Sequence, residues 1–164
     1  MDLLSKDAGK AAAYDELAIQ LDGLLAGESD PTATLANAAA AIYHALPALN
    51  WAGFYLLRDD VLVLGPFQGK PACTRIPLGK GVCGTAAAQR RSVLVPDVHA
   101  FPGHIACDQA SKSELVVPML RDGTLMGVLD LDSPRLARFD APDQAGCEAL
   151  VAIIVRHLRP APPV

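Results

Sequence analysis

The sequence lacks any run of basic residues: its 14 Lys and Arg are scattered among 18 Asp and Glu, for a formal net charge of −4. That argues against a nucleic-acid partner, because phosphate recognition needs clustered cations. Nor does any window approach the roughly 20 consecutive apolar residues that a bilayer span requires. The opening segment, Met1 to Asp7, has neither the basic flank nor the apolar stretch of a secretory signal. The expectation is a soluble, cytoplasmic chain that contacts neither membrane nor nucleic acid. Internal repeats are absent, the only compositional bias is the Ala-rich stretch Ala36 to Ala41, and no linker interrupts the pattern. The 164 residues therefore read as a single domain, with a core over about 14–158 and a Pro-rich tail over 159–164. With 51% hydrophobic and 20% charged residues the composition is that of an ordinary globular protein.

Closely spaced cysteine pairs are also missing. Cys73, Cys83, Cys107 and Cys147 have none of the short spacings of zinc ribbons or fingers, and His104 with Cys107 makes half a site for which no partner pair follows. Gly79 to Gly84 fits neither a phosphate loop nor a dinucleotide fingerprint. No metal and no bound cofactor are expected. Structural disulfides are rare in a reducing compartment, which leaves the four cysteines as buried fillers or reactive thiols.

Hydrophobic spacing over about residues 8–26 predicts a first helix ending at Gly27, and Asp30-Pro31 opens a second that stops before Pro47. The pattern then changes to strands. Residues 51–57 and 61–64 read as a hairpin about Asp59-Asp60, followed by a strand over roughly 72–78, a short helix from Val82 to Arg90 and a strand over 92–96. A long connection over 98–113 follows, of the kind that often carries function. A second hairpin, 114–120 and 125–132, turns at Asp122-Gly123. A final helix opens at Phe139-Asp140-Ala141-Pro142 and reaches His157. Helices at both ends of hairpin-connected strands imply an α+β fold with a mostly antiparallel sheet.

Side-chain alternation assigns Leu125, Gly127, Leu129 and Leu131 to a core face, and Met126, Val128, Asp130 and Asp132 to the other. Trp51, Gly53 and Tyr55 likewise share a face. Two readings stay open: an aromatic pocket with acids at its mouth, or two ordinary core aromatics and a solvated strand end. Among the cysteines, Cys83 stands at a helix start beside Lys80, a setting that lowers a thiol pKa. Cys107 lies in the long loop near His99 and His104, Cys73 on a strand, and Cys147 within the last helix as a small core residue. Local chemistry favours Cys83 or Cys107 as a nucleophile, with an inert buried role open for each.

Several collinear segments resemble the free methionine-(R)-sulfoxide reductases. They are residues 50–55 (NWAGFY), 64–70 (LGPFQGK), 79–86 (GKGVCGTA), 96–99 (PDVH), 103–108 (GHIACD), 113–118 (SELVVP) and 127–133 (GVLDLDS). The resemblance covers about residues 14–158. It implies a GAF-like fold, with a central antiparallel sheet flanked by the N- and C-terminal helices. It also implies that Cys107 is the nucleophile, Cys73 the resolving thiol and Cys83 an auxiliary one. Glu114, Asp130 and Asp132 would surround the sulfoxide oxygen and the zwitterionic substrate, and Trp51 and Tyr55 would seat its methyl group. The implied cycle passes through a sulfenic acid and an intramolecular disulfide re-reduced by thioredoxin. It further implies a homodimer through the terminal helices and a mobile loop over 98–113. The alternatives are a non-catalytic GAF sensor of a small molecule, and a thiol peroxidase or redox sensor using the same cysteines.

Overall fold

The computed structural model describes residues 3–105 and 107–158, with side chains from residue 8 onward. Two helices lead, α1 (Leu3–Leu25) and α2 (Pro31–Ala45), and the hairpin β1 (Trp51–Arg58) and β2 (Val61–Gly69) follows. Then come β3 (Arg75–Pro77), α3 (Gly81–Gln89), β4 (Val93–Val95) and a single 3-10 turn at Val98–Ala100. The chain closes with β5 (Ser113–Arg121), β6 (Thr124–Ser133) and α4 (Ala141–His157). The six strands form one sheet in the order β3-β2-β1-β6-β5-β4, with every neighbouring pair antiparallel. The α+β arrangement expected from the sequence is the one observed.

Local chemistry explains the element boundaries. Asp30 caps α2 by accepting hydrogen bonds from the backbone N–H groups of Thr32 and Ala33, and Pro31 occupies the first turn, where its missing N–H is harmless. Asp140 and Asp143 form a reciprocal capping box at the start of α4. The β1–β2 turn places Asp59 and Asp60 at φ of 46° and 61°, the paired left-handed residues of a tight hairpin turn.

The sheet separates two apolar layers. On one side Ala52, Phe54, Leu115, Val117, Met119, Leu129 and Leu131 pack against α1, α2 and α4. Each large side chain buried there contributes on the order of 1.5–3 kcal/mol. On the other side Trp51, Tyr55, Val116 and Val128 face α3 and the crossing loops. The helical layer is tied together around Asp143, which is fully buried and accepts from Tyr14 Oη at 2.9 Å, Lys10 Nζ at 2.7 Å and Arg138 Nη1 at 3.0 Å. Burial alone would raise the pKa of that carboxyl. The hydrogen bonds from Lys10, Asp140 and Tyr14, with the Arg138 charge, prevail and hold it at about 2. Cys147 is buried beside Tyr14, as a core residue should be, with Sγ 3.7 Å from the hydroxyl.

Three expectations need correction. The face assignment fails at Leu125 and Met126. Met119 pairs with Gly127 but Leu120 pairs with Leu125, so Met126 is the extra residue of a bulge. Leu125 therefore packs with Val128, and Met126 against the helical layer. The second strand of the first hairpin runs to Gly69 rather than Leu64. Conversely, the strand expected over 72–78 shrinks to Arg75–Pro77, and Cys73 lies in the loop before it, held there by bonds described below. The tail over 159–164 lies outside the described residues.

Gly146 of α4 faces the Tyr14 ring, and a Cβ there would stand 2.2 Å from Tyr14 Cγ. Gly146→Ala is therefore expected to destabilise the protein by about 1–3 kcal/mol, the usual scale of overpacking. Urea unfolding measures this, and an unchanged midpoint would mean that α1 and α4 are free to separate.

Candidate active site

The register of the three central strands builds the site. Trp51 of β1 pairs with Asp132 of β6, which pairs with Glu114 of β5; one row further along, Gly53 pairs with Asp130 and Asp130 with Val116. Residues paired directly across strands project to the same face. Thus Trp51, Asp132 and Glu114 stand side by side, with Asp130 and Tyr55 behind them on the face away from α1 and α4. The carboxylates and the aromatics do look into one space. It is lined by Trp51, Tyr55, Cys83, Glu114, Asp130 and Asp132, and closed by Ile105 and Cys107 of the loop.

The aromatic wall is continuous. The Trp51 ring lies 5.9 Å from Tyr55 and 5.2 Å from Phe67, near-parallel to both, and its Nε1 donates to the Lys70 carbonyl at 3.1 Å. Gly53 makes room for this stack, since a Cβ there would be 2.7 Å from the Trp51 ring. The aromatics are buried core residues and pocket lining at once.

The acids are not a solvated strand end. Glu114 and Asp130 are each 6% exposed. Burial pushes the Glu114 carboxyl well above its usual range, and the charges of Asp130 and Asp132 push it further. Burial also raises Asp130, to about 6, against the lowering effect of hydrogen bonds from Glu114 and Cys83. Asp132 is raised by burial and then by Asp130. Like charges this close cannot all ionise. Glu114, pushed upward by burial and by both aspartates, is the carboxyl of the three suited to hold a proton. One carboxylate oxygen, Asp130 Oδ1, is buried without a hydrogen-bond partner.

Cys73 and Cys107 are joined by a disulfide with their Cα atoms 5.7 Å apart, although 34 residues separate them in sequence. The Tyr55 hydroxyl donates to the Cys73 carbonyl at 2.9 Å, which holds the loop before β3 against the aromatic wall. On the other side Asn50 Nδ2 donates to Asp108 Oδ2 and Ser111 Oγ, both at 3.0 Å, and pins the segment after Cys107. Backbone bonds from Val98 to Lys112 and from Lys112 to Ser133 anchor the end of the same loop.

Cys83 departs from expectation. Its position at the start of α3 is as read from the sequence, but the thiol is buried, with Sγ 3.9 Å from Glu114 Oε1. Burial, followed by the charges of Asp130, Glu114 and Asp132, raises its pKa far beyond what a helix terminus lowers. It is a protonated thiol facing acids, not an activated nucleophile. Sequence reasoning left Asn50 and His104 out of the site. His104 Nε2 stands 3.7 Å from Glu114 Oε2, and burial lowers the imidazole pKa, helped by the charge of His99. His104 had a signal in its place three residues before Cys107; Asn50 had only its place beside Trp51.

Two outcomes test this geometry. Tyr55→Phe removes one hydrogen bond, so stability should fall by only about 0.5–1.5 kcal/mol. Closure of the Cys73–Cys107 disulfide from the reduced protein should nonetheless slow, as read by loss of free thiol with time. Glu114→Gln should stabilise the protein at pH 8. A carboxyl whose pKa is raised on folding contributes its stability fully below its unfolded value, near 4.3, and loses it as pH rises. The advantage of the variant should therefore vanish near pH 4, and urea unfolding at the two pH values measures it. Equal stability at pH 8 would mean that Glu114 ionises freely.

Comparison with known proteins places this geometry. A GAF domain family model matches residues 28–159. The free methionine-R-sulfoxide reductase of Escherichia coli K12 is 53% identical over 149 residues, 91% of this chain and 90% of that protein. Among solved structures, a putative GAF sensor protein from Burkholderia vietnamiensis superposes with a TM-score of 0.88 at 59% identity, covering 91% of this chain and 95% of that one. The free methionine-R-sulfoxide reductase of Neisseria meningitidis, solved with its substrate, superposes with a TM-score of 0.87 at 49% identity, covering 90% and 89% of the two chains. With such relatives along nearly its whole length, and a disulfide whose Cys107 lines a pocket of clustered acids, this chain belongs to the GAF-domain family of free methionine-R-sulfoxide reductases.

Proposed function

We propose that this protein reduces free methionine-R-sulfoxide to methionine, with Cys107 as nucleophile and Cys73 as resolving thiol. The observation that carries this reading is a disulfide between two distant cysteines at the rim of a pocket holding three acids kept from full ionisation.

Sulfoxide reduction needs a thiolate to attack sulfur and a proton to reach oxygen. The Cys107 sulfur attacks the substrate sulfur as Glu114 delivers its proton to the sulfoxide oxygen. The S–O bond breaks, methionine leaves, and Cys107 holds the oxygen as a sulfenic acid. The Cys73 thiol then displaces that oxygen as water, and the disulfide closes. Two electrons from an external dithiol, thioredoxin in this proposal, restore both thiols. No bound cofactor enters the cycle. Cys83, a buried protonated thiol, stays in an auxiliary role.

The pocket also supports the choice of a free amino acid. Trp51 and Tyr55 form an apolar seat for the S-methyl group. Asp130 and Asp132 offer negative charge to the ammonium, and the unpartnered Asp130 Oδ1 is an acceptor in need of a donor. A pocket flanked by Ile105 and Cys107 of the loop disfavours the flanking chain of a polypeptide methionine. Entry of substrate requires that loop to move, and the loop must also carry Cys107 between substrate and Cys73. A homodimer through the terminal helices belongs to the same reading, with Ile19 and Leu24 of α1 left exposed on one chain. So does a reducing, cytoplasmic setting.

The test is thioredoxin-coupled NADPH oxidation with free methionine-R-sulfoxide. Wild type should turn over. Cys107→Ser should be inactive, and Cys73→Ser should release no more than about one methionine per chain before stalling. Glu114→Gln should lower kcat by about 10²–10⁴, the range for loss of a positioned general acid. Steady consumption of peroxide in preference to sulfoxide, or full activity in Cys107→Ser, would sink the assignment.

A further inference from the structure

The pocket holds a set of ligand-like groups that the disulfide does not use. Cys83, Glu114 and Asp130 each present one ligand atom within 4.8 Å of the others, and all three residues are buried. Cys83 Sγ is 3.9 Å from Glu114 Oε1, and His104 Nε2 is 3.7 Å from Glu114 Oε2 on the opposite side of the carboxyl. Among the described residues no Lys or Arg forms an ion pair with Glu114, Asp130 or Asp132. An acid cluster alone would not mark a metal site. Here, however, the unpartnered Asp130 Oδ1, on a residue 6% exposed, is a buried acceptor that lacks its donor or cation.

The donor chemistry is specific. One thiol and two carboxylates, with water as the fourth ligand, suit a borderline-to-soft divalent ion in four-coordinate geometry, and they suit magnesium or calcium poorly. Zinc bond lengths of about 2.0–2.3 Å put neighbouring ligand atoms about 3.5 Å apart. The ligand atoms of Cys83, Glu114 and Asp130 lie within 4.8 Å of one another, so they draw together to bind an ion. Zinc motifs in sequence are recognised by short paired spacings, whereas these three ligands come from α3, β5 and β6. Sheet register brings them together.

We propose that Cys83, Glu114 and Asp130 form a binding site for a thiophilic divalent cation, Zn²⁺ or its analogue Cd²⁺, with His104 as the outer partner of Glu114. The ion takes the place of the protons on Cys83 and Glu114: the thiol, the carboxyl and M²⁺ give a metal-bound thiolate and carboxylate and two H⁺, with no change in oxidation state. A +2 charge among Glu114, Asp130 and Asp132 also relieves their repulsion. The ion sits where the polar end of the substrate is placed above, so occupancy would block turnover. That consequence rests on the reductase reading; the binding itself does not.

The experiment uses the full chain in its disulfide form, where Cys73 and Cys107 are blocked and the free cysteines are Cys83 and Cys147. Cd²⁺ is titrated while the ultraviolet thiolate-to-metal absorption is followed, with stoichiometry from calorimetry. The expected result is one Cd²⁺ per chain, with an absorption that disappears in Cys83→Ser and persists in Cys147→Ser. The affinity should fall at least about tenfold in His104→Ala, since outer partners of metal ligands carry that much. Circular dichroism of Cys83→Ser separates loss of a ligand from loss of fold. No absorption in wild type, or one that survives in folded Cys83→Ser, would overturn the proposal. Because no step requires turnover, either result leaves the Cys107→Ser assay to judge the reductase reading separately.

Discussion

Three carboxyl groups that share one buried pocket cannot all be charged, and much else in the site follows from that constraint. Glu114, Asp130 and Asp132 are brought together by strand pairing, so they cannot move apart without breaking the sheet. The repulsion is resolved by retained protons, which turns a carboxylate into an acid at neutral pH. Burial, and then the same field, keeps Cys83 protonated, while burial and the charge of His99 make His104 a weakly basic neighbour of Glu114. A pocket arranged this way can give up a proton to a leaving oxygen and receive a cationic head group. It destabilises the fold in doing so, as active sites commonly do.

The opposite face of the sheet supplies the compensation. There the polar groups that are buried are satisfied: Asp143 is surrounded by Lys10, Tyr14 and Arg138 and is held fully ionised. Two buried carboxyls in one small domain thus have opposite proton affinities. Asp143 has donors and cations within 3.0 Å, whereas Glu114 has other acids, a thiol and a distant imidazole. Burial is common to both; the partners decide the sign.

Alternation along a strand was enough to place Asp130 with Asp132, and Trp51 with Tyr55, each pair on a shared face. Two features escaped that reading for physical reasons. The bulge at Met126 slips the alternation by one residue, and nothing local distinguishes Leu125-Met126-Gly127 from a regular strand. Burial of the acids depends on α3 and the Cys107 loop covering the sheet, which is tertiary packing and leaves no periodic trace. The thiolate expected at Cys83 failed for the same reason. A helix start lowers a thiol pKa in isolation, but burial, followed by the charges of three acids from the sheet, outweighs one nine-residue helix. The pairing of Cys73 with Cys107, 34 residues apart, came from family resemblance and not from spacing.

The position of Cys73 shows how the two halves of the site are connected. Regular pairing of β2 with β3 does not extend to Cys73. Instead the chain pairs at Arg75 to Pro77, and Leu64 N–H still reaches the Thr74 carbonyl at 3.0 Å. Just before that point the Tyr55 hydroxyl captures the Cys73 carbonyl. A side chain of the aromatic wall thus sets where the partner thiol stands, and Tyr55 acts on both the apolar seat and the disulfide. Asn50, adjacent to Trp51, does the corresponding work for the Cys107 loop through Asp108 and Ser111. Both thiol-bearing loops are therefore referenced to β1, the strand that also carries the pocket wall. A thiol pair that must open and close at each turnover needs loops free to move but a fixed place to return to, and β1 supplies that place.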